Sequence, residues 1–414
     1  MPMYKYIILT LALCFSPLVS RAQSDVIGLY LNWQRDPART MTINWVNLYE
    51  HTTTNVFYRR SGTTNWLAAR GTRMVATPSV LQVRRVELTE LAPGADYEFI
   101  IGDVAPADDK NLQRFRTMPV RLSRPARFVT GGDTMHNREM VDAMNRRAGR
   151  LDPDFALIGG DLAYADGRNA TRWLDWLQSW TQHARGAKGR LIPLVVGIGN
   201  HEVRGGYGGK IPDDAPYFYR FFALPEGRAH YALDFGTYLS LLVLDSGHTQ
   251  PIAGAQAEWL ERSLAGRTEQ QFVFACYHWP AYGTTKAPKD LLPCEHPRSK
   301  EIQQQWIPHF ERYGVTAVFE NDHHNYKRTH PLRNHRRDDE NGIVYLGDGA
   351  WGVTPRTVPE PGAAWYLAHA EPRRHLFHVT LHPEGHTLIE AVDAAGEVFD
   401  RLELQQSRTH PTTP

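Results

Sequence analysis

From Ala126 onward the chain repeats one pattern five times: a short apolar run rich in β-branched and aromatic residues stops at a polar loop. Residues 127–130 lead to Gly131-Gly132-Asp133, and 155–158 to Gly159-Gly160-Asp161-Leu162-Ala163-Tyr164. Residues 194–196 lead to Gly197-Ile198-Gly199-Asn200-His201-Glu202, 272–277 to His278-Trp279-Pro280, and 316–319 to Glu320-Asn321-Asp322-His323-His324-Asn325-Tyr326. Stretches with helical spacing at 138–151, 171–185, 255–264 and 299–313 lie between these runs, the last with a kink expected at Pro308. Strands alternating with helices imply an α/β domain over 126–404. In such sheets ligands bind beyond the carboxyl ends of the strands. Five of those ends carry Asp, Asp plus Tyr, Asn plus His, His, and Asp plus His. These are oxygen and imidazole donors without a thiolate, a set suited to Fe, Mn or Zn. The glycines allow the chain to turn tightly beneath an ion.

Residues 24–118 follow a different rule. Short runs at 28–33, 40–47, 54–59 and 81–88 are separated by turn residues, as in an all-β sandwich. Residues 40–46 alternate polar with apolar, the pattern of a strand with one face in solvent. Leu91-Ala92-Pro93-Gly94-Ala95-Asp96-Tyr97 places a turn before a strand carrying Tyr, which resembles the tyrosine corner of fibronectin type III domains. The chain's 414 residues exceed what one core usually holds. The fold class expected is therefore an all-β sandwich followed by an α/β domain.

Residues 1–22 read as a secretory signal peptide: Lys5, an apolar run at 7–19, then Ser20-Arg21-Ala22. Leu13 before Cys14 argues against a lipid anchor. Export, periplasmic or secreted, is the expectation, with no membrane anchor. The tail 405–414 is polar and expected to be disordered. Net charge is +1, too small to supply a general field for nucleic acid. Cys276 and Cys294 remain in the mature chain. Export permits a disulfide between them, and Cys276 in its apolar run reads equally well as a small buried hydrophobe. Trp173, Trp176 and Trp180 recur at helical spacing and read as core. His369, His375, His378, His382 and His386 lack ligand spacing. Asn169-Ala170-Thr171 is a glycosylation sequon only in a eukaryotic source.

Taken in order, the five loops resemble the metallophosphoesterase set GD…GDxxY…GNHE…H…GHxH in its purple-acid-phosphatase branch, which also carries a fibronectin-like N-terminal domain. The resemblance implies two packed β-sheets flanked by helices in the second domain. It also implies a first metal held by Asp133, Asp161, Tyr164 and His324, with Asp161 bridging to a second metal that Asn200 and His278 also bind. A phenolate at Tyr164 implies Fe(III) in the first site and a visible charge-transfer band; the second site would hold Fe, Zn or Mn. His201 would contact the phosphate or protonate the leaving alkoxide. The implied reaction is in-line attack of hydroxide on the phosphorus of a small phosphate ester, the cation pair neutralising the phosphate. A phosphodiesterase is the nearest alternative, and a non-catalytic binding protein with a degenerate site the alternative of another class.

The fifth loop departs from that pattern. Alignment on Tyr326 and Arg328 puts His324 on the second His of GHxH and Asp322 on the first. Asp322 then replaces an imidazole at the second metal, or the loop shifts and His323 supplies the ligand, or the second metal is lost. The plant members' His pair after the fourth motif is also missing: residues 281–290 contain no His. Tyr282, His296 and His136 are the candidates for substrate contact; His296 reads equally as an exposed loop residue and His136 as the start of a helix. Gly347-Asp348-Gly349 either closes the site or is a plain turn. The oligomeric state is not legible.

Overall fold

The computed structural model describes residues 26–47, 53–76, 79 and 81–405. The expected signal segment 1–22 and residues 406–414 lie outside them. Gln405, assigned above to the tail, instead ends the strand Val398–Gln405. Among the described residues no helix is long and apolar enough to cross a membrane.

The N-terminal part is β-rich and has two layers. One is an antiparallel sheet in the order Leu67–Arg70, Asn55–Arg60, Asp96–Ile101, Gln113–Arg116. Its tyrosine corner is present: Tyr97 Oη accepts the Ala92 N–H at 2.8 Å. The other layer runs Thr72–Val75, Gln82–Leu88, Met41–Asn47, Gly28–Asn32 and does not stop there. Gly28–Asn32 lies parallel to Leu194–Val196, with Asn32 opposite Leu194. The sheet then continues through Phe155–Ile158, Ala126–Gly131, Leu376–Leu381, His386–Val392 and Val398–Gln405, ten strands in all.

This continuity corrects the reading of 40–46. Thr42 and Asn44, expected in solvent, are fully buried. Chain from the second half covers them. Asn44 donates to Asn32 Oδ1 at 2.8 Å and accepts from Arg85 Nε at 2.7 Å. Asn32 in turn donates to the Ala223 carbonyl at 2.6 Å, and Arg85 to the Phe221 carbonyl at 3.0 Å. The polar face of the strand is an internal hydrogen-bonded seam.

A second sheet of seven strands packs on the first, in the order Tyr231–Phe235, Leu239–Val243, Phe272–Cys276, Ala317–Phe319, Tyr345–Gly347, Tyr326–Thr329, Leu367–Glu371. Its apolar runs are buried on both sides, so alternate residues serve different cores. Phe272, Phe274, Cys276 and Phe319 face the ten-stranded sheet, where Phe274 meets Phe128 at 5.8 Å between centroids. Val273, Ala275, Tyr277 and Val318 face outward onto Leu260, Ile302 and Phe310 from the helices Ala255–Ala265, Pro297–Gln305 and Ile307–Tyr313, and onto Trp306 at the junction of the last two. The kink expected at Pro308 is a full break after Gln305, with Pro308 in the first turn of the new helix, where a missing N–H costs little.

The helix Ala170–His183 packs on Gly28–Asn32 and buries Trp173, Trp176 and Trp180, confirming them as core. Asn169 of the sequon caps that helix through the Thr171 N–H. Both cysteines are free and buried: Cys276 belongs to the inner core and Cys294 to the outer one.

Candidate metal centre

Five loops converge at one edge of the two sheets. Asp133, Asp161, Tyr164, Asp322 and His324 all have positive φ, between 52° and 74°. Backbones of this kind are rare for residues with a Cβ and concentrate where function requires the side chains to be aimed. Two glycines make the close approaches possible. A Cβ on Gly160 would lie 2.8 Å from His278 Nδ1, and one on Gly349 would lie 1.8 Å from Asp133 Oδ2. Gly347-Asp348-Gly349 thus packs against the site, Gly349 pressed on Asp133, and the Asp348 carbonyl accepts the His324 N–H at 2.8 Å.

On one side, Asp133 Oδ1 stands 3.0 Å from His324 Nε2 and accepts from Tyr164 Oη at 3.0 Å. Tyr164 Oη is also 3.0 Å from His324 Nε2. On the other side, His278 Nε2 stands 3.2 Å from Asp161 Oδ2 and 3.4 Å from Asp322 Oδ1. Tyr207 Oη lies 2.6 Å from both Asn200 Oδ1 and Asp322 Oδ1, tying those two loops together. Ligand atoms of Asp133, Asp161 and His278 all fall within 4.8 Å of one another, linking the halves.

The electrostatics favour cations. Asp133, Asp161 and Asp322 are buried carboxylates, a costly arrangement without counter-charge. Burial alone would raise the Asp161 carboxyl, but the His278 imidazole holds it below the usual range. Asp322 is likewise held low against its burial by His278 and Lys286. Burial and the charges of Asp133 and Asp161 push the Tyr164 phenol well above its ordinary value, so it ionises only beside a strongly polarising ion. His278 Nε2 is buried and makes no hydrogen bond, while its Nδ1 is 3.0 Å from the Gly159 carbonyl, the orientation of a ligating imidazole. These residues fit a pair of hard or borderline cations.

The structure brings Asp133, Asp161, Tyr164, Asn200, His201, His278, Asp322 and His324 together. His323 commits one ring nitrogen to the chain, its Nδ1 accepting the Thr285 N–H at 3.1 Å with the ring packed against Gly283, while its buried Nε2 stands 3.6 Å from Asp322 Oδ2. His201 stacks on Tyr164 at 4.2 Å between centroids, with Nδ1 2.5 Å from Asp166 Oδ1. Burial would lower its pKa, yet the Asp161 charge and the Asp166 hydrogen bond raise it. His136 sits at the rim, its ring 5.3 Å from that of His324 and its Nδ1 accepting the Thr354 N–H at 3.1 Å. Partial burial and the His324 charge push it down to about 4, so it is a neutral imidazole with Nε2 protonated.

Two candidates for substrate contact are placed elsewhere. Tyr282 is 1 % exposed, its ring lies in the outer core, and its hydroxyl pairs with His335 Nδ1 at 2.9 Å. His296 packs on Trp279 with the rings tilted and their centroids 4.5 Å apart, and accepts the Arg298 N–H at the start of the helix Pro297–Gln305.

Other residues at the site escaped the sequence reading. Glu202, quoted within Gly-Asn-His-Glu but given no role, accepts the N–H groups of Asp161, Leu162 and Gly199 at 2.7, 2.8 and 2.8 Å. Tyr207 had a signal in Gly205-Gly206-Tyr207-Gly208-Gly209, a lone aromatic between glycine pairs. Lys286 Nζ lies 2.7 Å from Asp322 Oδ2. Arg356 approaches His324 and Asp322 from the segment after Gly349. Away from the site, His382 and His386 stack at 3.9 Å across a turn that also carries Glu384, a proximity that appears only when the hairpin forms.

Residues 27–117 match the family model for the purple acid phosphatase N-terminal domain, and residues 99–326 that of the calcineurin-like phosphoesterases. An uncharacterized protein of Mycobacterium tuberculosis is 27% identical over 358 residues, 74% of this chain and 62% of that protein, so the chain spans less than two thirds of that relative. An Arabidopsis thaliana protein named "Probable inactive purple acid phosphatase 27" is 26% identical over 210 residues, 47% of this chain and 32% of that one. Among solved structures, purple acid phosphatase PPD1 from yellow lupin (Lupinus luteus) seeds superposes with a TM-score of 0.75 over 92% of this chain and 74% of that chain, at 17% identity. With more than half of its length matched, the chain belongs to the calcineurin-like phosphoesterase family, in the purple-acid-phosphatase form with a β-rich N-terminal domain.

Proposed function

We propose that this chain is an exported hydrolase of phosphate monoesters that works with two cations, Fe(III) in the Asp133–Asp161–Tyr164–His324 position and Fe, Mn or Zn in the Asp161–Asn200–His278–Asp322 position. The observation that carries the reading is the convergence of Asp133, Asp161 and His278 within 4.8 Å. Export rests on the apolar N-terminal run at 7–19.

When bound, the cation pair supplies charge neutralisation for the phosphate and an acidified water. The chain's own groups do the rest. His201, whose protonated form the Asp161 charge and the Asp166 hydrogen bond favour against the effect of burial, donates its proton to the departing oxygen. The neutral His136 offers its Nε2 proton to a phosphate oxygen at the rim. Tyr207 and Lys286 fix Asn200 and Asp322, so the second position is shaped before substrate arrives.

Metal analysis and hydrolysis of p-nitrophenyl phosphate test this reading. The expected result is two cations per chain, a purple or pink colour that Tyr164→Phe abolishes, and turnover of the monoester above its bis-ester. Faster turnover of the bis-ester would make the chain a diesterase. The Arabidopsis relative's name gives weight to a non-catalytic reading as well, and activity on neither ester with metal absent would support that one.

A further inference from the structure

Two cationic side chains overlook the metal centre, and they are not equivalent. Lys286 stands 2.7 Å from Asp322 Oδ2, so its charge is committed to the carboxylate that replaces an imidazole. Arg356 makes no ion pair among the described residues. Its Nη1 donates to the Asp322 carbonyl oxygen at 3.2 Å, and its Nη2 lies 3.4 Å from His324 Nε2. The guanidinium thus straddles the two halves of the centre, one nitrogen beside a ligand of each.

The chain holds it there. Arg356 N donates to Asn325 Oδ1 at 3.0 Å and to the His324 carbonyl at 3.2 Å. Asn325 is itself buried and donates to Thr284 Oγ1 at 3.2 Å. The segment leading to Arg356 is tied down too: the His136 N–H donates to the Gly352 carbonyl at 2.8 Å, and the Thr354 N–H to His136 Nδ1 at 3.1 Å. An arginine on an anchored backbone, without a carboxylate partner and facing the place where an ester must lie, is built to receive an anion.

We propose that Arg356 grips the substrate phosphate with its guanidinium fork and so selects monoesters over diesters. The proposal rests on the phosphoesterase reading of this site. A monoester presents three terminal oxygens and a diester two. A fork that engages two oxygens, together with cations that need oxygens of their own, is fully served only by the monoester. Arg356 would fill the gap left by the absence of His from residues 281–290.

The test uses the metal-loaded protein, with Arg356→Gln and Arg356→Lys beside wild type. Inorganic phosphate binding is measured by calorimetry, and kcat and KM are measured on p-nitrophenyl phosphate and its bis-ester. In Arg356→Gln, phosphate affinity is expected to fall about 10- to 100-fold, the range for losing charged hydrogen bonds. KM for the monoester rises by a similar factor, while kcat/KM for the bis-ester changes less than about threefold. Lys restores charge without the fork and recovers only part of the affinity. Metal content and the visible band stay unchanged. Unchanged phosphate affinity, equal losses on both esters, or loss of metal in Arg356→Gln would each overturn the proposal. A wild type that binds phosphate through Arg356 but turns over neither ester would sink the enzymatic reading and leave the phosphate grip standing.

Discussion

Glu202 Oε2 accepts the main-chain N–H of Asp161 at 2.7 Å, and its other oxygen takes the N–H of Leu162. A side chain from one metal loop thereby fixes the backbone of another. Glu202→Gln would turn one acceptor into a donor facing donors. A loss of about 1–3 kcal/mol in stability is expected from the unsatisfied buried groups. The Asp161 loop would lose its template, so cation binding should weaken as well; thermal unfolding and metal titration check the two effects.

Asp322 and His323 separate the two readings of the fifth loop. Asp322 aims Oδ1 at the His278 side of the centre, whereas His323 Nδ1 is occupied by the Thr285 N–H. Asp322→Ala should cost the protein its second cation, leaving the first in place with its colour. His323→Ala should leave both. Metal analysis showing the reverse would mean that the loop shifts when cations bind.

Which features were legible follows from how local their signals are. A strand that ends on a polar loop announces itself in a few residues, so Asp133, Asp161, Asn200, His278 and His324 were readable, as were the helices Arg138–Arg150, Ala170–His183 and Ala255–Ala265 and the tryptophan core, whereas the short helix Pro216–Phe221 was not. Arg356 and Lys286 reach the centre along loops whose paths depend on contacts far away in the chain, and no short pattern marks their arrival; Tyr207 stands out only as a lone aromatic between glycine pairs, which says nothing of what its hydroxyl meets. Thr42 and Asn44 misled because alternation reports polarity, not what covers the polar face. Tyr282 and His296 were judged by nearness in sequence to the fourth loop, while packing directs their rings to Tyr345 and Trp279.

Lys327 is fully buried between two carboxylates, donating to Glu320 Oε2 and paired in charge with Asp348, whose Oδ1 stands 2.9 Å from its Nζ. Lys327→Met would leave both carboxylates without their cation. Destabilisation of about 3–5 kcal/mol is expected, the usual effect of breaking a buried pair from one side. Calorimetry of the metal-free protein would show it as a lowered Tm; an unchanged Tm would mean that Glu320 and Asp348 share a proton instead.

His375 predicts an acid-side loss of stability. Its ring is buried against Tyr326 and Phe377, and that burial pushes its pKa down to about 4 from an ordinary value of 6.5. The unfolded chain therefore binds the extra proton across that interval. The contribution is fully present above pH 6.5 and is lost as pH falls toward 4, by about 3 kcal/mol at most. His375→Gln should flatten the dependence of Tm on pH over this window in metal-free protein. An equally steep profile would assign the effect to other groups.

Because Gly28–Asn32 runs beside Leu194–Val196, the β-rich N-terminal part is also the neighbour that finishes one side of the strand leading to Asn200 and His201. Cutting the chain near residue 120 would leave that strand with bare peptide groups along a fully apolar edge. The liberated C-terminal piece would be sticky, recruiting further copies of itself through the vacant edge, and the turn that presents Asn200 would lose its backing. What looks like a detachable leading module is the selvedge that keeps the sheet beneath the candidate metal centre from fraying.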